Sequence, residues 1–279
     1  ITQSVFEKHE KPKNYDFLHD LSFFLMDIKN RDLKLDYKSL KLANSSVRTG
    51  VAKLKNGHSK IIYNPWTTIT GRLATERDSF PILTMNKNLR SIVKPKNDCF
   101  VELDYNAAEV RVLLGLLGEE QPKQDVHDWI NKNIFNATMS RDASKKKVFS
   151  WLYNPNAKNK KLNNYLDRDK IYSQYYVDGE VLTPYDRHIK ADREKAVNYL
   201  IQSTASDMFL TSAIKINKIL KSKKSFISFC IHDSLVLDFA LEDKDMLDDI
   251  SEIFSDTKFG VIKSNLSIGK DFGNMSRVT

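Results

Sequence analysis

Two aspartates stand where apolar runs stop. Asp104 follows "CFVEL" at residues 99–103, and Asp233 interrupts the apolar stretch 224–240 beside His232. Alone, an acid such as Asp104 reads more readily as a turn former or helix cap; a second acid in the same setting changes the reading. Neighbouring strands lie about 4.7 to 4.9 Å apart, so if the two strands are adjacent, both carboxylates can bind one pair of divalent cations. Two such ions, about 3.5 to 4 Å apart, serve in-line phosphoryl transfer by activating the attacking hydroxyl and neutralising the leaving group.

A second constellation is "RDASKKKVFSWLY" (141–153), in which Arg141, Lys145, Phe149 and Tyr153 recur every four residues. Steps of four drift about 40° on a helix, so the four share a band about 120° wide. Two cations followed by two rings suit a triphosphate and then a sugar and base; the competing reading is a basic helix with its rings in the core. "NYLIQSTASD" sets the amides of Asn198 and Gln202 four apart, a spacing also common on plain surfaces. "TITGRLAT" places Gly71, which permits a tight turn, beside Arg72.

The elements that must carry these residues follow from periodicity. The patterns predict an amphipathic helix over 14–28, a hairpin about Asn56-Gly57, a buried strand over 99–103 and a helix over 107–118 ended by Gly118. They further predict helices over 125–135, 141–153 and 191–220, an exposed loop near 154–164, and a hairpin over 224–240 that breaks at His232-Asp233.

The chain has 279 residues, 41% of them hydrophobic, enough for one large domain or two smaller ones. Its 44 Lys and Arg against 36 Asp and Glu give +8, which suits a polyanionic partner or simply solubility. Residues 141–195 hold 13 basic and 8 acidic side chains, whereas 238–256 hold eight acids and one lysine, so the latter is expected to be a solvated face. Cys99 and Cys230 lie in apolar runs without metal-ligand spacing and are expected to be buried free thiols. No run approaches a membrane span and no signal peptide is visible. Because the chain starts at Ile, it is expected to be a fragment or processed product. Its lysine and asparagine richness hints at an AT-rich phage or organelle genome.

In order along the chain, these pieces resemble family A DNA polymerases, the group of bacterial DNA polymerase I and its phage relatives. "DYNAAEVR" resembles that family's first catalytic motif, "RDASKKKVFSWLY" its nucleotide-binding fingers helix and "IHDSLV" its second catalytic motif. "TGRL", "DVH", "TPYDR" and "NYLIQSTASD" match further segments. The resemblance implies an α+β right-hand fold, an antiparallel palm sheet flanked by helices with helical fingers and an incomplete thumb. It divides the chain into 1–66 (thumb remnant or palm-associated helix and hairpin), 67–124 (palm), 125–190 (fingers) and 191–279 (palm). It also implies template-directed DNA synthesis with Asp104, Asp233 and Lys145 as catalytic residues. Asp104, Asp233 and the Tyr105 carbonyl would hold two Mg²⁺ ions, with Mn²⁺ as a substitute. Glu109 would be the steric gate beneath the sugar; Arg141, Lys145 and His127 would hold the triphosphate; Phe149 would pack on the sugar and Tyr153 near the templating base. Arg72, Asn198, Gln202 and His232 would contact primer and template, with Arg111 structural or on the primer side.

The implied partners are primer-template DNA, dNTPs and an exonuclease or processivity subunit, with no membrane and no editing exonuclease in this chain. The implied setting is the cytoplasm of a bacterial or phage-infected cell, or an organelle, not the secreted space. Three positions depart from the family pattern: Asn154-Pro155 follows the fingers helix in place of Gly, Ser234 stands where the second motif has Glu, and Glu194 falls where many relatives are basic. His-Asp-Ser is also the form in single-subunit RNA polymerases, so an RNA polymerase-like or primase-like enzyme is the alternative. A catalytically inactive nucleic-acid-binding subunit is a third reading.

Overall fold

A computed structural model describes residues 11–40, 49, 50, 52, 54, 57–154, 156, 157 and 159–278. Its helices are α1 (Tyr15–Lys29), α2 (Ala108–Leu117), α3 (Val126–Asn133), α4 (Arg141–Tyr153), α5 (Lys160–Tyr165), α6 (Arg168–Tyr175), α7 (Arg193–Ile219) and α8 (Leu247–Ser255). Strands β1 (Lys34–Leu35), β2 (Tyr63–Asn64), β3 (Ala74–Thr75) and β4 (Val93–Lys94) are short and pair as β1 with β4 and β2 with β3. The longer β5 (Cys99–Tyr105) follows. Then come β6 (Tyr176–Val177), β7 (Glu180–Leu182), β8 (His188–Lys190), β9 (Phe226–Ile231) and β10 (Ser234–Phe239). The chain ends with β11 (Asp256–Thr257), β12 (Gly260–Val261), β13 (Ser264–Gly269) and β14 (Met275–Arg277).

The central sheet has five antiparallel strands in the order β14-β13-β5-β10-β9. β5 lies in the middle because its sequence is apolar on both faces until Glu102 and Asp104, as a strand covered on both sides requires. Residues on a strand alternate between faces. Tyr105 points to the helix layer, where its hydroxyl donates to the Phe254 carbonyl at 2.6 Å and its ring stacks on Phe254 at 4.1 Å. Asp104 and Glu102 therefore face the other way. Further along that second face, Phe100, Phe229 and Phe272 close the core edge to face.

The 27-residue helix α7 spans the molecule and packs against α1, α2, α6 and α8. A buried pair ties it to the loop before β8. Arg187 donates from Nε to Asp207 Oδ2 at 3.0 Å and from Nη2 to Oδ1 at 2.7 Å. The Gly71 turn lies against that guanidinium: with φ +72°, an added Cβ would stand 2.5 Å from Arg187 Nη2. No described helix is long and apolar enough to cross a membrane.

Most expected elements form near their predicted limits, including α4 at 141–153 and the αL residue Gly118 that stops α2. The hairpin about Asn56-Gly57 does not form among the described residues; Asn56 itself lies outside them. Thr49, Gly50, Ala52 and Leu54 are helical, and the backbone at Ser59 and Lys60 is taken up by Leu33 and Asp32. Residues 125–190 are not purely helical, since β6, β7 and β8 form a three-stranded antiparallel sheet. The 154–164 stretch contains α5, with Pro155 and Lys158 outside the described residues. The acidic stretch is not uniformly solvated. Asp238 is buried, accepting from the amides of Lys96 at 2.7 Å and Asn97 at 2.8 Å, and buried Asp243 accepts from Ser225 N at 2.7 Å. Cys99 and Cys230 are buried free thiols.

Replacing Arg187 with Met strands a buried carboxylate and is expected to lower the unfolding free energy by about 3–5 kcal/mol. The double variant Arg187→Met, Asp207→Leu should recover most of that loss in urea unfolding.

Candidate active site

Of the three catalytic candidates, Asp104 and Asp233 come from the ends of adjacent strands. β5 and β10 pair antiparallel with Asp104 opposite Ser234, and the two-residue turn His232-Asp233 joins β9 to β10. His232 adopts φ +56°, uncommon for a side chain with a Cβ, and Asp233 follows it one step before the residue facing Asp104. β13 flanks β5 on the other side with Asn265 opposite Asp104. Asp104 Oδ1 accepts the Ser234 hydroxyl at 2.8 Å, and Oδ2 accepts Asn265 Nδ2 at 3.4 Å.

These acids are poorly solvated and repel one another. Burial, then the Asp104 charge, pushes Asp233 up to about 6. Burial also raises Asp104, against the hydrogen bonds from Ser234 and Asn265, and raises Glu102, which feels Asp104 as well. A divalent cation relieves such repulsion, and hard oxygen donors suit it. No group of three or more His, Cys, Asp or Glu among the described residues is arranged to hold a metal ion. The oxygen donors that could hold such a cation are Asp104 and Asp233 with the strand-end backbone at Tyr105, whose ring is turned away. That incomplete set fits Mg²⁺, which keeps waters and takes phosphate oxygens as further ligands.

Beside Asp233 opens a cavity of ≈ 340 Å³ whose walls include Arg72, Glu109, Phe149, Tyr153, His232 and Ser206. Glu109 is held at both oxygens, by the Arg72 guanidinium at Oε1 and by the Tyr153 hydroxyl at Oε2. Burial and Glu109 together raise the Tyr153 phenol, so it stays a donor. Phe149 and Tyr153 stack at 5.7 Å with 9° between their planes, and Lys145 Nζ lies 5.8 Å from the Phe149 centroid. The band expected on α4 is therefore present on one side of the helix, and both rings line the cavity rather than the core.

Arg141, at the first turn of α4, pairs with Asp125 at 2.7 Å. Burial alone would raise Asp125, yet Arg141 and Asn106 hold it well below the usual carboxylate range. His127 is 1% exposed, and burial, with Arg141 and Lys145 nearby, pushes it down to about 4. It is neutral at pH 7, and its buried Nδ1 has no hydrogen-bond partner. His232 is lowered too, first by burial and then by Arg72 and Arg90.

Asn198 and Gln202 are not brought into the cavity. Gln202 Nε2 donates to Asn198 Oδ1 at 2.7 Å, one and two turns of α7 before Ser206, which lines the cavity and bonds the Gly71 carbonyl at 3.0 Å. Arg111 is structural: fully buried, it donates to the carbonyls of Asn106, Pro122 and Gln124. Glu194 stands in the first turn of α7, where the helix dipole favours an acid. Sequence reasoning missed Glu102, Asp125, Asn265 and Arg277. The alternation in "SNLSIG" is the one available signal for the strand that carries Asn265.

No protein-family model matches the chain, and no curated protein does. Among solved structures it is similar to the POL domain of Pol1 from M. smegmatis, described in complex with DNA primer-template and dNTP. The identity is 15%, the TM-score 0.63, and the match covers 82% of this chain and 51% of that one. The chain thus spans about half the length of that domain, and the likeness establishes a DNA polymerase-like fold.

The unfolded chain ionises Asp233 near 3.8, whereas the folded chain keeps its proton until about 6. Its contribution to stability is present below the first value and lost as pH rises through the second. Without divalent cations, Asp233→Asn is expected to abolish that loss and to raise the unfolding free energy at pH 7 by about 2 to 3 kcal/mol, at about 1.4 kcal/mol per pKa unit. Urea titrations across pH 4–7 check it.

Proposed function

We propose that the chain is the nucleotidyl-transfer core of a template-directed DNA polymerase, extending a primer 3′-end from dNTPs. One observation carries the reading: Asp104 and Asp233 lie at the ends of adjacent strands, with Asp233 on the wall of a cavity that Glu109 and the α4 rings Phe149 and Tyr153 also line. The polymerase-like fold supports it. In this reading the five-stranded sheet with α7 and α8 is the palm, and residues 125–190 are the fingers.

Asp104, Asp233 and the Tyr105 carbonyl would hold two Mg²⁺ ions, with Mn²⁺ able to replace them. Bound there, the ions would lower the pKa of the primer hydroxyl and offset charge on the pyrophosphate leaving group. The chain's own part is orientation. Lys145 and Arg141 take the triphosphate, with Arg141 released from Asp125, and neutral His127 contributes a hydrogen bond rather than a charge. Phe149 supports the sugar, and Tyr153 lies where the templating base would stack. Catalysis of this kind is positioning and charge compensation more than covalent chemistry. Arg72, His232, Asn198 and Gln202 face the primer-template, where minor-groove acceptors common to all base pairs can be tested without reading sequence.

Glu109, gripped at both oxygens, forms a rigid floor that excludes a 2′-hydroxyl. Ser234 gives the second motif the His-Asp-Ser form of RNA polymerases, and this sustains an RNA-synthesising alternative that the Glu109 floor opposes.

Primer extension tests the reading. Asp104→Asn is expected to reduce extension to background while primer-template binding persists; undiminished extension overturns the assignment. Glu109→Ala should raise ribonucleotide use relative to deoxynucleotide use by about 10- to 100-fold. A wild-type preference for ribonucleotides would favour the alternative.

A further inference from the structure

Asp104 is gripped from both neighbouring strands by neutral donors. Ser234 and Asn265 face it directly across the two ladders, and each reaches a different carboxylate oxygen, at 2.8 Å and 3.4 Å. Rotation of the carboxylate about its last torsion breaks one bond or the other. Each oxygen has two acceptor sites, so one on each stays open. Both donors are uncharged, so the full negative charge remains for a cation.

The Asn265 amide is itself fixed in sense. Its Oδ1 accepts from Arg277 Nη2 on β14, a group that can only donate, while Asp104 can only accept. Nδ2 must therefore point at Asp104. Glu102 lies two residues back on the same face as Asp104. An acid at 234 would stand directly across the ladder from Asp104 and next to Asp233, and would add a further charge where Ser234 offers a neutral donor.

We propose that Ser234 and Asn265, with Arg277 behind Asn265, are positioning residues that clamp the Asp104 carboxylate in the orientation that receives a divalent cation. The inference rests on Asp104 being a cation ligand, as under the proposed function, and on the geometry of these two ladders. Outer partners of this kind change metal affinity or activity by about 10- to 100-fold when removed.

The test measures Mn²⁺ binding to the full chain by loss of the free-ion paramagnetic resonance signal, alongside the Mg²⁺ dependence of single-nucleotide extension. Ser234→Ala and Asn265→Ala are expected to weaken Mn²⁺ binding and to raise half-saturating Mg²⁺ by about 10- to 100-fold. At saturating Mg²⁺ the KM for dNTP should be unchanged, and Ser234→Thr, which keeps the hydroxyl, should restore binding. Cooperative thermal melting of each variant establishes that it is folded. Folded variants that bind Mn²⁺ as the wild type does overturn the clamp and leave the polymerase reading standing. Weakened Mn²⁺ binding in a protein that extends no primer supports the clamp and overturns the polymerase reading. A wild type that takes up no Mn²⁺ overturns both.

Discussion

The register of β5 against β10 is the constraint on which the rest depends. A slip of one residue would turn Asp104 into the helix layer and bring Tyr105 out to the site face. Tyr105 prevents that slip, since its ring stacks on Phe254 and its hydroxyl is held by the Phe254 carbonyl and Ser212. The same strand therefore supplies a buried anchor on one face and an acid on the other. The acids sit at a strand end and a tight turn, the two places where a rigid sheet can present a carboxylate without covering it.

The cavity wall depends on a second set of ties. The turn at Gly71 is pressed against Arg187, Arg187 is held by Asp207, and Ser206 bonds the Gly71 carbonyl. Arg72 follows directly and reaches Glu109 from a backbone fixed on three sides. Glu109 in turn holds Tyr153 at the end of α4. Residues scattered from 71 to 207 thus converge on one carboxylate, and the shape of the pocket floor is an outcome of loop packing as much as of the helix that carries Glu109.

Legibility followed the range of the interactions. The α4 band could be read because helical periodicity is local, and β5, β9 and β10 because their runs are mostly apolar between turn signals. The adjacency of β5 and β10 could only be posed as a condition, since strand pairing is not local. Asn265 escaped notice because β13 is half-exposed up to its last residue and its role exists only across a ladder. Asp238 and Asp243 were misread as solvated because composition cannot distinguish a charged surface from acids that satisfy buried amides. Arg111 could not be assigned between two roles because its partners are loop carbonyls that no pattern announces.

Asp125 holds more than Arg141. Its Oδ1 caps the start of α3 at His127 N and Asp128 N, and its Oδ2 also accepts from Asn106, the residue that follows Asp104 and Tyr105. One carboxylate therefore links three structures: the exit of the central strand, the first turn of α3 and the first turn of α4. Drawing Arg141 away would leave Oδ2 to Asn106 and untie the first turn of α4 from the exit of the central strand.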